Sequence, residues 1–496
     1  MNLEPTNRSA AGARAPGRSF RLARIGAARP WQTNAALLLL GSLLFLLSRH
    51  LLSEYDTYTI GFSGTSGWSV VVYLAAAFLV LTQPVDRWTF PIILGVSIMC
   101  RLATLFADPV LSSDVYRYVW DGVVQHAGVN PYRYVPGNPA LSFLREPNLD
   151  VFNSINRRDY ARTIYPPFAQ VLFFVSTFIS PTLLMMKTTM VLFEGLTMWA
   201  LLQICHHLGI RREQTLLYAW CPLLIWEIAG SGHLDSAVFA LTTLALLFRL
   251  RRQAFLTGLF LGLAVLTKFY PLVLFPALYM FRAPDPKTER PVSCGRRVFE
   301  RLDWTMPGTM LALAVVLYAA YSSVGKLVFG FLGGYVEEEG MSTGTRYFLL
   351  EQARHIPGLR GLTPAAYVVF AAVVLLVLSS WGLRVSWTSR LDNEAAFLWP
   401  TFALAAALML LFSPHYSWYV AWLIPFFALL PNLPIAAYIL GLFYLCTTAL
   451  AVGSGPKQFL LNQILYGSVL IACVLDLTLR RSSVGRALCR RLRSYA

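Results

Sequence analysis

The chain has 496 residues, of which 56 % are hydrophobic and 13 % are charged, and its formal net charge is +16. This composition excludes a soluble globular protein and predicts an integral membrane protein. The basic residues do not indicate nucleic-acid binding, because they cluster at the ends of apolar segments rather than along one amphipathic face. Membrane topology accounts for them better.

Apolar segments of about 20 residues, the length of a transmembrane helix, recur along the chain. About fourteen are predicted, with approximate bounds 33–52, 68–84, 88–106, 185–207, 215–231, 234–250, 254–267, 269–282, 304–323, 363–383, 394–412, 416–430, 433–452 and 457–478. The predicted fold is an all-α polytopic membrane protein with about 12–14 transmembrane helices.

The spans and the charged segments divide the chain into six parts. In order, these are a cytoplasmic basic tail (1–32), an additional transmembrane hairpin (33–87), a membrane module (88–282) that includes an outer loop (107–184), a cytoplasmic loop (283–303), a C-terminal membrane module (304–478) and a second basic tail (479–496). Arginines are concentrated in both tails and in the cytoplasmic loop. The positive-inside rule places all three in the cytoplasm.

The segment 165–180 is apolar, but we do not count it as a span. Counting it would place the two arginine-rich termini on opposite faces of the membrane. We therefore predict a juxtamembrane or re-entrant helix whose start is set by Pro166 and Pro167. With this choice the outer loop and the later polar motifs all fall on the extracytoplasmic face.

The most polar stretch of the outer loop is SSDVYRYVWDG (112–122). Ser112 or Ser113 can cap a short helix that Gly122 ends. Its reactive side chains lie at i, i+3, i+4 and i+7 and so share one face: Asp114, Arg117, Tyr118 and Asp121. The alternative is an interfacial helix in which Asp114 pairs with Arg117 and the aromatic residues belong to the membrane-interface belt.

Two further stretches of the outer loop, GVNPYRYVP (128–136) and INRRDYARTIYPP (155–167), combine aromatic and basic residues. A sugar ring needs an aromatic surface for its C–H face and polar partners for its hydroxyls. The candidates for such contacts are Asn130, Tyr132, Tyr134 and Tyr165. Arg157, Arg158 and Arg162 lie on the face that the charge rule disfavours, which suggests that they hold an anion. The alternative is a rigid interfacial loop.

Three short motifs between later spans, GSGHLDS (230–236), TKFYP (267–271) and SPHYSWYVAW (413–422), supply the remaining polar candidates. These are His233, Asp235, Lys268, Tyr270, His415, Tyr416, Trp418 and Tyr419. A divalent metal held by Glu227, His233, Asp235 and acids of the loop is one alternative, but no spacing such as HExxH supports it, and no metal ligand is assigned. Lys268 could extend to the membrane surface or bind a lipid phosphate.

In this order, SSDVYRYVWDG, GVNPYRYVP, RTIYPPFAQ, GSGHLDS, LTKFYP and SPHYSWYVAW resemble motifs of the bacterial multi-pass mannosyltransferase-like family of the GT-C superfamily, which is related to phosphatidylinositol mannoside mannosyltransferases. The resemblance covers about residues 88–425. It implies an inverting glycosyltransferase of the inner membrane, which moves a hexose, with mannose the favoured sugar, from a polyprenyl phosphate to a lipid or glycan acceptor on the extracytoplasmic face.

The resemblance also implies roles for individual residues. Asp114 matches the aspartate that acts as general base. Side chains that would stabilise the departing phosphate are Arg117, Lys268, His415, Arg158 and Arg162. Residues that would contact the sugar or the acceptor are Asp121, Tyr118, Asn130, Tyr132, Tyr134, Tyr165, His233, Asp235, Tyr270, Tyr416, Trp418 and Tyr419. The sequence departs from the family in that the loop follows the third span rather than the first, and in that SPHYSWYVAW replaces an HPWY pattern.

Two other functions remain open at this point. A lipid-linked-sugar flippase or small-solute transporter would need polar residues along a path at mid-bilayer depth, and most predicted spans have no charge there. A non-catalytic partner of another glycosyltransferase would keep the sugar-binding surface without a base.

Overall fold

The computed structural model describes residues 28–51, 60–109, 111–282, 299–388, 394–447 and 456–481. Most of the predicted basic tails (1–32 and 479–496) and most of the predicted cytoplasmic loop (283–303) lie outside the described residues.

The secondary structure of the described residues is helical, with no strand, which confirms the predicted all-α class. The α-helices are α1 (Pro30–Leu51), α2 (Ile60–Thr82), α3 (Thr89–Leu105), α4 (Asp114–His126), α5 (Ser142–Arg145), α6 (Leu149–Asn153), α7 (Pro167–Ile179), α8 (Leu183–Leu208), α9 (Leu216–Ala219), α10 (Pro222–Leu224), α11 (Asp235–Leu250), α12 (Ala254–Val265), α13 (Phe275–Leu278), α14 (Thr305–Ala320), α15 (Leu332–Glu338), α16 (Phe348–Arg354), α17 (Pro364–Thr388), α18 (Leu398–Phe412), α19 (Ile424–Leu429), α20 (Leu433–Cys446) and α21 (Pro456–Arg481). The other turns are 3₁₀ segments (Pro139–Leu141, Glu146–Asn148, Arg212–Thr215, Tyr270–Leu274, Ser322–Phe329, Ser417–Leu423) and one π-helical segment (Ile225–Gly230).

Five helices in the described part of the chain are long and apolar enough to cross a membrane, namely α1, α2, α8, α17 and α21. The number rises to seven if each of two bent pairs is one span: Pro222–Gly230 with Asp235–Leu250, bent by 120°, and Thr305–Ala320 with Ser322–Glu338, bent by 112°. The protein is thus polytopic, as predicted. The predicted figure of 12–14 crossings is higher because it includes segments that form shorter or broken helices.

Prolines account for three of the broken segments. The predicted span 215–231 is interrupted before Pro222, and the predicted spans 269–282 and 416–430 begin with 3₁₀ turns that contain or precede Pro271 and Pro425. Proline has no backbone N–H to donate and its ring clashes with the preceding turn, so a continuous α-helix cannot pass through these positions without distortion. The 3₁₀ turns at Pro271 and before Pro425 begin within the polar motifs that contain Lys268 and His415.

The outer-loop helix α4 packs along α7. Helix α7 begins at Pro167, which confirms the predicted start. Helix α4 continues to His126, so the prediction that Gly122 ends it was wrong. Gly122 instead allows close packing, because a Cβ atom there would lie 2.7 Å from the carbonyl oxygen of Phe173 in α7.

A buried ion pair joins α3 to α8 in the hydrophobic interior. Arg101 Nε lies 3.1 Å from Glu194 Oε2 and Arg101 Nη2 lies 2.7 Å from Glu194 Oε1. Arg101 Nη1 also donates to the carbonyl oxygen of Ala219, at 2.8 Å. The pair therefore fixes three segments relative to one another.

The segment around α15 folds back onto the outer loop. Gly330 has φ 57° and ψ −136°, a backbone conformation that residues other than glycine rarely adopt. A Cβ atom at this position would overlap the carbonyl oxygen of Thr163. This contact brings α15 over the residues that precede α7, and it builds one wall of the cavity described below.

Candidate active site

A cavity of about 430 Å³ lies where five segments of the chain meet. They are the start of α4 (111–117), the end of the outer loop (156–166), the 268–269 turn, the segment around α15 (331–339) and the 416–419 turn. Four of the six motifs singled out in the sequence contribute to it. The predicted site residues in its lining are Asp114, Arg117, Arg162, Tyr165, Lys268, Tyr416, Trp418 and Tyr419.

Asp114 is the first residue of α4 and is partly exposed at the cavity. The hydroxyl oxygen of Ser112 accepts a hydrogen bond from the Asp114 backbone N–H at 3.1 Å, which orders the turn that precedes the helix. Asn156 Nδ2 donates to Asp114 Oδ1 at 3.1 Å. Among the described residues this amide is the only side chain that donates to the carboxylate. Asp114 Oδ2 therefore has no protein partner there.

Asp235 lies beside the cavity and is fully buried. Lys268 Nζ contacts its Oδ2 at 2.6 Å, and the Tyr270 hydroxyl donates to its Oδ1 at 3.0 Å. The Lys268 ammonium itself reaches the cavity lining and lies 5.4 Å from the centre of the Tyr419 ring. Asp235 thus fixes the position of Lys268 and lies outside the cavity lining.

Asp121 lies two helical turns after Asp114 and is buried. It accepts a hydrogen bond from Arg117 Nε at 2.7 Å and another from Gln170 Nε2 at 3.0 Å. Arg117 therefore pairs with Asp121 rather than with Asp114, and it also donates to the carbonyl oxygen of Ala161 at 3.1 Å. This network links α4 to α7 and to the outer loop.

Glu339 lines the cavity and forms a buried ion pair with Arg346. Arg346 Nη1 also lies 3.0 Å from His415 Nδ1, which must accept this hydrogen bond and is therefore unprotonated. Burial and, next, the positive charge of Arg346 lower the pKa of His415 to about 3. His415 is neutral near pH 7 and lies outside the cavity lining, so it cannot supply a cation to a leaving phosphate.

The lining has a positive balance. It contains four basic and two acidic side chains, a formal charge of +2. Arg157 pairs with Glu338 at 2.6 Å. Arg162 donates only to the carbonyl oxygen of Arg133, at 3.2 Å, and makes no ion pair with any described residue. The uncommitted groups of the cavity are therefore one carboxylate, Asp114, and one cation, Arg162.

Aromatic rings cover the opposite wall. Tyr416 and Trp418 are stacked with their ring centres 4.4 Å apart, and the hydroxyls of Tyr335 and Tyr419 are hydrogen-bonded to each other. Tyr165 is almost fully buried at the base of the wall. Rings of this kind can contact the C–H face of a sugar, while nearby charged groups bind its hydroxyls.

The remaining predicted site residues lie outside the lining: Tyr118, Asp121, Asn130, Tyr132, Tyr134, Arg158, His233, Asp235, Tyr270 and His415. Asn130 and Tyr132 connect the outer loop to its surroundings. Asn130 Nδ2 donates to the carbonyl oxygen of Tyr321 at 3.0 Å, and the Tyr132 hydroxyl donates to the carbonyl oxygen of Tyr165 at 2.6 Å. Tyr134 packs against a small separate cluster of buried residues. These contacts shape the loop.

Tyr118 and Arg158 also have contacts away from the cavity. The Tyr118 ring stacks on Phe173 of α7 with centres 4.7 Å apart. Arg158 lies over the ring of Phe152 and donates to Asn153. The three arginines of the outer loop therefore diverge, since Arg157 and Arg162 face the cavity and Arg158 does not.

Four further residues, none of them among the predicted site residues, also line the cavity: Asn156, Phe331, Tyr335 and Glu339. The acidic run that contains Glu339 in an otherwise apolar region was the available signal. Their contribution depends on the return of α15 over the outer loop, which no local pattern reports.

No group of three or more His, Cys, Asp and Glu side chains that could hold a metal ion occurs among the described residues. The candidate metal ligands are instead engaged with one another or with cations. Glu227 contacts His233 at 3.1 Å, and Asp235 holds Lys268.

Residues 39–284 match the family model described as alpha-(1->6)-mannopyranosyltransferase, N-terminal domain. The match confirms the resemblance inferred from the motifs. No curated protein and no solved structure matches the chain. The matched range contains Asp114, Arg162 and Lys268, whereas the walls built by Tyr335 and Tyr416 lie C-terminal to it.

Proposed function

We propose that this protein transfers a mannosyl residue from a polyprenyl-phosphate donor to a lipid or glycan acceptor, with inversion at the anomeric carbon. The match of residues 39–284 to the alpha-(1->6)-mannopyranosyltransferase family model supports the mannosyl transfer. One observation carries the proposal. Of the two carboxylates in the lining, Glu339 is paired with Arg346, and Asp114 is held among the described residues only by the neutral amide of Asn156. The neighbouring carboxylates Asp121, Asp235 and Glu338 are each paired with a cation.

Asp114 would act as general base. An acceptor hydroxyl is a weak nucleophile until its proton is removed as the new bond forms, and a positioned carboxylate typically contributes about 10²- to 10⁴-fold to the rate. A carboxylate already bound to a cation is a poorer base, because the cation stabilises its ionised form. Asp121, Asp235 and Glu339 are in that condition, which leaves Asp114 for the task.

The leaving polyprenyl phosphate would be stabilised by cations of the lining. Arg162 has no carboxylate partner among the described residues, and its planar guanidinium can bind two phosphate oxygens. Lys268 adds a second positive group, fixed in position by Asp235. As negative charge develops on the phosphate oxygens, prepositioned donors of this kind lower the barrier.

The donor lipid would approach beside Lys268. Phe269 lines the cavity and is 40 % exposed, and Leu272, in the 3₁₀ turn that follows, is 53 % exposed. An ammonium next to an exposed apolar surface suits a ligand with an anionic head and a hydrocarbon chain. A water-soluble nucleotide sugar would make no use of this surface.

We place the cavity on the extracytoplasmic side of the inner membrane. The predicted cytoplasmic N-terminus and the three crossings predicted from the sequence before the outer loop support this assignment. The third predicted crossing corresponds to the shorter helix α3, which follows the two long helices α1 and α2. On the same reasoning, helices of the 33–87 segment form an additional hairpin before the catalytic module (88–282), and the C-terminal module (304–478) supplies the wall that contains Tyr416.

The proposal is tested with the purified full-length chain, a labelled polyprenyl-phosphate mannose, labelled GDP-mannose as the rival donor, and a membrane lipid extract as acceptor. The lipid-linked donor is expected to give a labelled product whose anomeric configuration, read by NMR, is opposite to that of the donor. Asp114→Asn is expected to lower turnover about 10²- to 10⁴-fold at unchanged protein yield. Asp150→Asn, a change of the same kind at an exposed aspartate of the same loop, is the control. Near-normal turnover by Asp114→Asn, or transfer from GDP-mannose alone, would overturn the proposal.

The assigned face is tested separately. A cysteine introduced at the exposed position Asp159, in a chain whose native cysteines are replaced, should react with a membrane-impermeant maleimide in spheroplasts before lysis. Reaction only after lysis would place the cavity in the cytoplasm.

A further inference from the structure

A series of stacked rings leads from the cavity into the protein interior. The rings of Tyr416 and Trp418 are nearly parallel, with an interplanar angle of 9° and centres 4.4 Å apart. The Trp418 ring stacks in turn on the imidazole of His233, at 20° and 4.2 Å. Exposure falls along the series, from 39 % at Tyr416 to 0 % at His233. The outer ring thus belongs to the cavity and the inner ring to the core.

Tyr416 has the open ring surface that Trp418 lacks. Of the aromatic side chains in the lining, only Phe269 and Tyr416 are more than a third exposed. Phe269 has no polar group and lies next to Lys268, where a hydrocarbon chain would pass. Tyr416 combines a flat ring with a hydroxyl, which suits a pyranose that has both a C–H face and hydroxyl groups.

The inner end of the series is fixed by a buried carboxylate. Glu227, with 0 % exposure, accepts a hydrogen bond from the Ser417 hydroxyl, and its Oε2 lies 3.1 Å from His233 Nδ1. His233 Nδ1 also lies 2.9 Å from the carbonyl oxygen of Glu227. The Nδ1–H therefore donates to this carbonyl oxygen, which fixes the plane of the ring, while Glu227 Oε2 lies at ion-pair distance without a hydrogen-bond partner among the described residues. His233 Nε2 has no hydrogen-bond partner among the described residues.

Ser417 is the residue between Tyr416 and Trp418 in the chain. Its bond to Glu227 therefore holds the backbone that carries both rings, while His233 supports the Trp418 ring from the interior. A carboxylate with no exposure is expensive to bury unless its partners are well placed. The partners of Glu227 are Ser417, which follows Tyr416 in the chain, and His233, which stacks on Trp418. Glu227 therefore helps to fix the position of the Tyr416 ring.

We infer that Tyr416 is the stacking surface for the pyranose ring of a substrate, and that Glu227 and His233 are positioning residues that hold it in place. The inference rests on the proposed function and names residues of the same cavity. The pyranose belongs either to the mannosyl group of the donor or to the terminal sugar of a glycan acceptor. In both cases the recognised chemistry is a C–H face of a six-membered ring against an aromatic face.

The first test measures KM and kcat for donor and acceptor separately. Tyr416→Leu is expected to raise one of the two KM values roughly 5- to 10-fold, because the aromatic face is lost, with kcat changed less than KM. The KM that rises identifies the sugar. Tyr416→Phe keeps the face and is expected to stay within about twofold of wild type. Tyr444→Leu, at an exposed tyrosine of α20 outside the lining, is the matched control. Unchanged values of both KM for Tyr416→Leu would overturn the inference.

The second test is a double-mutant cycle. His233→Gln should raise the same KM as Tyr416→Leu, and the double variant should be no worse than Tyr416→Leu alone, because His233 acts through that ring. Additive effects would show that His233 does not act through Tyr416. If His233→Gln reduces the amount of folded protein, Ser417→Ala serves in its place, since it removes one bond to Glu227 with little change in volume. Absence of transfer by the wild type from any polyprenyl-phosphate sugar would instead reject the proposed function.

Discussion

Two carboxylates in this apolar chain, Glu194 and Asp114, differ in how many of their oxygens the protein binds. Glu194 lies in the interior, where Arg101 binds both of its oxygens, and the guanidinium also donates to the carbonyl oxygen of Ala219. Asp114 lies at the cavity, where a single neutral amide binds one oxygen. Both oxygens of Glu194 are therefore bound by the protein, whereas one oxygen of Asp114 is accessible from the cavity.

The difference separates a carboxylate that is fully bound by the protein from one that the proposed function uses as a base. Buried polar groups are nearly always satisfied by the protein, as Glu194 is. Asp114 is partly exposed at the cavity, so its second oxygen is accessible to water or to the hydroxyl of a substrate. The same contrast recurs among the cations, since Lys268 is paired with Asp235 and Arg162 makes no ion pair within the described part of the chain.

The largest expected effect on stability comes from breaking the buried Arg101–Glu194 ion pair. Glu194→Ala would leave Arg101 buried without a counter-charge, which should reduce the free energy of unfolding by about 3–5 kcal/mol. Asp114→Ala should change it by no more than about 0.5 kcal/mol. Thermal unfolding of the purified variants in detergent measures both.

The control for this prediction replaces both partners. Arg101→Met combined with Glu194→Leu removes both charges and should be more stable than either single variant. A stable Glu194→Ala together with an unfolded Asp114→Ala would reverse the assignment of the two carboxylates.

A second comparison lies within one helix. Asp121→Asn weakens the charge-assisted bond to Arg117 and should reduce the free energy of unfolding by about 1.5–3 kcal/mol. Because Asp121 lies outside the lining, KM for the donor should be unchanged in the folded fraction. Asp114→Asn, two turns earlier, should show the converse, with normal stability and lost turnover. A large kcat defect in stable Asp121→Asn would mean that Asp121 takes part in the reaction.

Substitutions of the two cations proposed to bind the donor phosphate, Arg162 and Lys268, should differ in their effect on stability. Arg162→Gln should raise the KM of the donor about tenfold, which corresponds to about 1.4 kcal/mol, and leave stability unchanged. Lys268→Gln should lower stability as well, since it leaves Asp235 buried without its cation. The measurements are donor titrations and thermal unfolding on the same preparations. Equal stability losses in both variants would show that Arg162 is also structural.

Much of the site could be predicted because it depends on local patterns. The spacing of Asp114 and Asp121 places them on one helix, and the pair Pro166-Pro167 marks the start of α7, as observed. Polar motifs at the ends of apolar segments meet because such ends share the membrane boundary. That rule brings Lys268 and Tyr416 to the same cavity although about 150 residues separate them.

Other features depend on packing that the sequence does not reveal. Gly122 fits both a helix end and a close contact, and only the approach of Phe173 decides between them. Tyr335 and Glu339 reach the cavity because Gly330 allows α15 to fold against Thr163. The hydrogen-bond partners that distinguish Asp114 from Asp121 also depend on the tertiary structure, because Asn156 and Gln170 come from other segments of the chain.

The smallest expected effect concerns His415, whose pKa is lowered to about 3 by burial and by Arg346. The folded protein keeps this imidazole neutral down to about pH 3, whereas in the unfolded chain it gains a proton below its ordinary pKa of about 6.5. The unfolded state therefore binds more protons between these values, and the contribution of His415 to stability falls as pH falls through that window. At pH 6 the loss of stability relative to pH 8 should be less than about 1 kcal/mol, and His415→Gln should remove it.

The pH dependence of transfer between pH 6 and 8 should be the same in the wild type and in His415→Gln, because His415 does not titrate there. A step near pH 6.5 that disappears in His415→Gln would show that the imidazole is protonated during the reaction and that its pairing with Arg346 is broken when substrate binds.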